Sequence, residues 1–197
     1  LFALQQLMEL MEQQPQKMTA VIAEEDGIAE VIGVELGDTS AQQYGVAVDF
    51  GAATIGLKII DLAKGEVVAS GYKGNGLRAF GNRLIKTETV TEKTLQQIAI
   101  CALDDLLLAL CDRTGVFPGQ IYQMMIAGNS IHQHILLGIL PKEGFAPAFL
   151  QRKGITAKQL GFSIYPEALI QFLPNLDQTA GGDCCALQLA MEQTGTD

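Results

Sequence analysis

The chain has 197 residues, 48% hydrophobic and 18% charged, with a formal net charge of −9. A chain of that length can bury roughly 70% of the surface its unfolded form exposes, so one sizeable core is expected without disulfide or metal staples. No stretch reads as the apolar run of about 20 residues that a transmembrane helix needs, and the 13 Lys and Arg are spread too thinly to form a footprint for nucleic acid.

The first residue is Leu1, no basic signal-peptide start follows, and the sequence reads as part of a longer polypeptide. Leu1, Leu4, Leu7, Met8 and Met11 recur at helical spacing and predict a helix over residues 1–13. Residues 18–23 alternate as a strand, Asp26-Gly27 is a type I′ hairpin dipeptide, and residues 28–36 resume the alternation. Gly37-Asp38-Thr39-Ser40 breaks it, and a boundary is placed at about residue 42, between a small α/β element and the main domain.

The main domain opens on a near-continuous apolar run, residues 44–50, with Asp49 next to its end. Gly51-Ala52-Ala53 forms a turn, and residues 54–62 and 66–72, joined at Lys64-Gly65, complete three antiparallel strands. Gly71, Gly74, Gly76 and Gly81 predict an irregular segment. Residues 91–114 read as a long helix, capped by Thr91 and stopped at Gly115. Residues 121–127 form a strand ending at Gly128, and Asn129 or Ser130 caps a helix running to about Leu140, before Pro141. After a Pro- and Gly-rich stretch to Gly161, residues 168–173 read as a strand, 174–180 as a loop and 182–191 as a helix. Three antiparallel strands followed by strand-to-helix units give an α/β fold of ribonuclease-H-like layout.

Three places have residues suited to chemistry. At Asp49-Phe50-Gly51-Ala52-Ala53-Thr54, a carboxylate at a strand end precedes a turn whose amides can face phosphate while Asp49 holds hydrated Mg²⁺; an ordinary hairpin with a capping Asp is the plain alternative. At Thr179-Ala180-Gly181-Gly182-Asp183, glycines open a helix whose N-terminal amides suit an anion, and Asp183 either positions metal or water or simply favours the helix dipole. Gly128-Asn129-Ser130 lies between strand and helix, where N-capping is the simpler role. His132 and His134 lie about 200° apart on a helix and cannot share a metal, and at least one is expected to face solvent. Cys101 and Cys111 read as small buried residues of a cytoplasmic protein, and Cys184 and Cys185 as packing residues. None of the cysteines has cluster-binding spacing.

Several segments together resemble the ASKHA-domain reductive activators of corrinoid proteins, a family with actin-like ATPase architecture: Gly37-Asp38-Thr39-Ser40, residues 44–49, Gly51 with Thr54, Asp61-Leu62, Gly65-Glu66-Val67, Ala127-Gly128-Asn129-Ser130, Leu136-Leu137-Gly138, Leu173-Pro174-Asn175 and Gly181-Gly182-Asp183. The resemblance implies a parent polypeptide in which a [2Fe-2S] domain passes an electron to the cobalt of a corrinoid protein while the ASKHA domain uses ATP and Mg²⁺. Residues 1–42 then correspond to the tail of a small middle domain and 43–197 to the first ASKHA lobe; the cluster domain and second lobe lie outside this sequence. By the same resemblance Asp49 and Asp183 are the catalytic candidates, with Asp49 on the metal. Gly51, Ala52, Ala53, Thr54, Gly128, Asn129, Ser130, Gly181 and Gly182 become the nucleotide-binding candidates. The sequence departs from the family at Ala52 and Ala53, where Thr residues are usual, and around Gly74-Asn75-Gly76, where an Asn-Pro segment is usual. ATP hydrolysis is expected of the parent and not of this segment alone. The alternative is a non-catalytic module for partner docking or homodimer formation; a sugar kinase is a third reading.

Overall fold

The computed structural model describes residues 1–25, 27–85, 91–139, 155–175 and 181–194. Helix α1 (Phe2–Glu12) lies against a hairpin of β1 (Met18–Glu25) and β2 (Ile28–Leu36). Gly27 has φ +76°, the left-handed geometry a hairpin turn needs; Asp26 lies outside the described residues. These two strands form a sheet of their own. Its link to the main domain is polar and aromatic: the Tyr122 hydroxyl donates to Glu35 at 2.7 Å, and Tyr165 donates to Gln6 at 3.2 Å and meets the edge of Phe2.

The main sheet is built from β3 (Tyr44–Phe50), β4 (Thr54–Asp61), β5 (Glu66–Gly74), β6 (Ile121–Gly128), β7 (Ile155–Thr156) and β8 (Leu169–Phe172), in the order β5-β4-β3-β6-β8-β7. β3, β6 and β8 run parallel; β4, β5 and β7 pair antiparallel. This mixed order is that of the first lobe of a ribonuclease-H-like, actin-type domain. It sets the C-terminal ends of three parallel strands side by side, the end of an open α/β sheet where ligands bind.

Alternation along β3 places Val46, Val48 and Phe50 in the core and leaves Asp49 exposed on the other face. Helix α2 (Glu92–Thr114) covers the core face with Leu95, Ala99, Leu103, Leu107 and Leu110. Burying each leucine fully stabilises by about 1.5–3 kcal/mol. The caps are as expected: Thr91 accepts from Thr94 N–H, and Gly115, at φ +75°, donates to Cys111 O. By length and composition residues Lys93–Thr114 could cross a membrane, contrary to the expectation from sequence. The same apolar residues here pack on the sheet.

Three other elements differ from expectation. The segment from Gly71 is regular: β5 continues to Gly74 and a 3₁₀ helix follows over Gly76–Ile85. Gly71 serves close packing, since a Cβ there would lie 3.1 Å from Leu110 on α2. Helix α3 (Ser130–Leu136) ends well before Leu140, because Gly138 adopts φ +70° and Ile139 N–H turns back to His134 O. Within the Pro- and Gly-rich stretch lie β7 and the short helix α4 (Ala157–Leu160), which Thr156 and Gln159 cap reciprocally. Helix α5 (Gly182–Thr194) closes the described chain.

Candidate functional site

The β3–β4 turn, the β6–α3 junction and the start of α5 meet at one end of the sheet. Phe50 lies opposite Gly128 in the parallel pair, so the Gly51 turn and the Gly128-Asn129-Ser130 segment leave adjacent strands side by side. The start of α5 is pressed onto that segment. A Cβ on Gly181 would lie 2.5 Å from Asn129 Cα and 2.7 Å from Gly128 O; one on Gly182 would lie 2.6 Å from Leu173 O. Both glycines are there because only a bare Cα fits between those backbones.

The turn itself is tight. Gly51 N–H donates to Thr54 O at 3.1 Å, and a Cβ on Gly51 would meet that oxygen at 2.8 Å. Ala52 and Ala53 are exposed, and their amides donate to no acceptor among the described residues. Asp49 lines an open groove of about 780 Å³ with Ala47, Gly56, Lys58, Tyr72 and Ala127. Its cross-strand neighbour is Gly56, and a Cβ there would sit 3.7 Å from Asp49 Cβ. Glycine at that position leaves the carboxylate uncovered.

Asn129 caps α3, its Oδ1 accepting from His132 N–H at 3.0 Å, and Ser130 is the first helical residue. Asp183 is exposed in the first turn of α5, and its Oδ1 accepts from Cys184 N–H at 2.9 Å. Thr179 and Ala180 lie outside the described residues. Asp183 is near enough to His132 for its charge to favour the imidazolium, although burial dominates and lowers the His132 pKa. His132 packs edge-on to Phe50 at 5.6 Å between ring centroids.

Both histidines are buried, so the expectation that one faces solvent is overturned. The short α3 turns them inward, His132 against Phe50 and His134 onto Ser130 O. Cys101 and Cys184 are exposed and Cys185 is half-buried; only Cys111 is a buried thiol. Cys101 falls on the outer side of α2, where helical spacing alone did not separate it from the core stripe.

Three amide side chains that sequence reasoning did not count among the site residues organise this end. Gln133, 1% exposed, donates from Nε2 to Gly128 O at 3.1 Å and Leu173 O at 3.0 Å, joining β6 to the segment after β8. Asn175 Oδ1 accepts from Gly182 N–H at 3.1 Å, fixing the start of α5. Asn75, also buried, reaches the β3–β4 turn. Their only sequence signals were an Asn between two glycines at 75, a Gln within an apolar helix at 133 and an Asn after proline at 175.

A phosphate chain could be received by this arrangement of free turn amides, close-packed glycines and two exposed carboxylates, Asp49 and Asp183. Among the described residues no group of three or more His, Cys, Asp or Glu side chains gathers as a metal set. A single carboxylate suits Mg²⁺, which keeps much of its water and binds largely through the phosphates.

A family model described as the RACo middle region matches residues 44–194. Among curated proteins, the corrinoid activation enzyme RamQ of Eubacterium limosum is 23% identical over 161 residues, which are 75% of this chain and 27% of RamQ. Among solved structures, one titled reductive activator for corrinoid, iron-sulfur protein superposes with a TM-score of 0.85 at 24% identity, over 98% of this chain and 33% of that one. The chain thus spans 27% of that curated relative and 33% of that solved protein.

Proposed function

The chain belongs to the RACo middle region family, and from that premise we propose that it forms the phosphate-facing part of an ATP-dependent reductive activator of corrinoid proteins. The observation that carries this is the meeting of the Asp49 strand end, the Gly51–Thr54 turn, Gly128-Asn129-Ser130 and Gly181-Gly182-Asp183 at one end of the sheet. In this reading residues 43–197 are the first ASKHA lobe and residues 1–42 the end of a preceding domain. The parent polypeptide adds a second lobe, a [2Fe-2S] domain and a cytoplasmic corrinoid-protein partner.

Mg²⁺, when bound, neutralises phosphate charge. The exposed Asp49 carboxylate would hold the ion, and the Ala52 and Ala53 amides would donate to phosphate oxygens and position the chain. On the far side, Gly181 and Gly182 allow close approach of backbone, while Asp183 accepts a hydrogen bond from water and orients it. With alanines at 52 and 53, no hydroxyl contributes from those positions, so phosphate binding there rests on backbone amides. That feature favours, as a second reading, a docking or dimerisation module with a degenerate nucleotide site.

Calorimetric titration of Mg-ATP into the full-length parent separates the two. Binding heat that Asp49→Asn reduces tenfold or more supports the nucleotide site. No heat, or heat indifferent to the substitution, leaves the docking module.

A further inference from the structure

Asn75 engages its backbone N–H, its carbonyl and both side-chain polar atoms, and two of these four hydrogen bonds serve the β3–β4 turn. Its side-chain Nδ2 donates to Gly51 O at 2.8 Å, and its backbone N–H donates to Ala53 O at 2.9 Å. Its Oδ1 accepts from Leu77 N–H at 2.9 Å and its own carbonyl accepts from Arg78 N–H at 3.0 Å. Because Oδ1 has a donor and Nδ2 an acceptor, the amide has one sensible orientation. The residue is 4% exposed. Leu77, whose N–H Asn75 holds, is fully buried, so the clamp is anchored in the core, and Gly76 between them lies close under Ile98 of α2, where a Cβ would meet Ile98 Cγ2 at 3.1 Å.

A peptide unit is planar, and no cis bond occurs among the described residues, so a carbonyl and the following N–H point in opposite directions. Drawing Gly51 O towards Asn75 therefore aims Ala52 N–H the other way, out of the protein. The bond to Ala53 O does the same for Thr54 N–H. In a two-residue hairpin turn the first carbonyl ordinarily accepts from the residue three positions on. Here Gly51 O receives the Asn75 side chain.

The geometry points to Asn75 as the positioning residue of this turn: it does not touch ligand, but presets the direction of the Ala52 amide, one of the two that donate to phosphate, and of the neighbouring Thr54 amide. A preset donor array costs no reorganisation when the ligand arrives. This role depends on the nucleotide site proposed above, and it gives that site a device independent of the hydroxyls absent at 52 and 53.

Two substitutions test it in the full-length parent. Asn75→Ser keeps an acceptor for Leu77 N–H, as a Ser turn can, but cannot reach Gly51 O. Asn75→Asp keeps shape but sets an oxygen against that carbonyl. Each variant is measured for Mg-ATP and adenosine affinity by calorimetry, for thermal midpoint, and for deuterium uptake of the peptide containing residues 50–56. Expected are at least a tenfold loss for Mg-ATP, less than twofold for adenosine, raised uptake in that peptide, and a midpoint within a few degrees for Asn75→Ser. Mg-ATP affinity within twofold of wild type, alongside a large loss for Asp49→Asn, overturns the positioning role and leaves the nucleotide site standing. A wild type that binds no Mg-ATP overturns the site itself; unchanged uptake in both variants then removes the clamp as well. Equal losses for Mg-ATP and adenosine also overturn the role, since they mark general damage.

Discussion

Replacing Gly181 with alanine places one methyl group where the start of α5 meets the β6–α3 junction. Its carbon would sit 2.5 Å from Asn129 Cα, 2.7 Å from Gly128 O and 3.0 Å from Asn129 C. Carbon atoms at best contact are about 3.5–4.0 Å apart, and every neighbour here is backbone, which cannot rotate aside. Helix α5 must therefore lift by roughly 1 Å, the size of step that costs about 1–3 kcal/mol in overpacked interiors. Alanine also restricts the unfolded chain, which offsets about 0.4–1 kcal/mol. The net expectation is a loss of about 1–2 kcal/mol. At about 2–4 °C per kcal/mol for a chain of this size, the melting midpoint should fall by about 2–8 °C. Thermal unfolding followed by far-UV circular dichroism reads it, with Gly74→Ala as the comparison, because a Cβ on Gly74 meets nothing within 4 Å. Gly74→Ala should match or slightly exceed the wild type. A Gly181→Ala protein melting at or above Gly74→Ala would show that α5 does not bear on the junction, and the close-packed site with it.

Two further outcomes follow from burial. His132 lies in the core with its pKa lowered by burial, Asp183 opposing in part. The unfolded chain therefore takes up the proton first, so this contribution is complete above pH ~6.5 and is lost as pH falls towards the depressed folded value. Urea midpoints at pH 7.5 and 5 should differ, and His132→Gln should shrink the difference; an unaltered difference contradicts the assignment. Burial pushes the Cys111 thiol up to about 11, whereas Cys101 and Cys184 are exposed. Iodoacetamide at neutral pH should label Cys101 and Cys184 and leave Cys111 untouched until urea unfolds the chain, as peptide mass spectrometry would report.

The strands and long helix were legible because hydrophobic periodicity and caps agreed: Val46, Val48 and Phe50 face the core at period two, and Thr91 and Gly115 bound α2. Elements set by one backbone angle or one distant contact were not. The stop of α3 rests on Gly138 at φ +70°, closer than the more obvious Pro141. The continuity of β5 depends on Gly71 fitting beneath Leu110, a contact between residues far apart in sequence. Likewise at least one of His132 and His134 was expected to face solvent, because a seven-residue helix has too few positions to reveal its buried side. The candidate residues Asp49, Gly51, Gly128, Gly181 and Gly182 were legible as a carboxylate and glycines at element ends. Gln133 and Asn75 were not, since an amide signals nothing until its partners, 40 residues away for Gln133 and Leu173 and 24 for Asn75 and Gly51, are known.

Those two amides share a logic that the glycines alone lack. Glycine permits backbones to approach but does not hold them, and it carries the largest entropy cost on ordering. At this end of the sheet close approach is paired with a buried side-chain donor that spans it: Asn75 for the turn at Gly51, Gln133 for the contact of Gly128 with Leu173. An unpaired carbonyl in such a position would cost about 1–3 kcal/mol, so each amide both satisfies an oxygen and fixes the peptide attached to it. Rigid peptides of known direction are what the proposed nucleotide site would need, since Ala52 and Ala53 leave it no hydroxyls at those positions. Loss of either amide should therefore be felt first in the orientation of the turn and junction, and only secondarily in global stability.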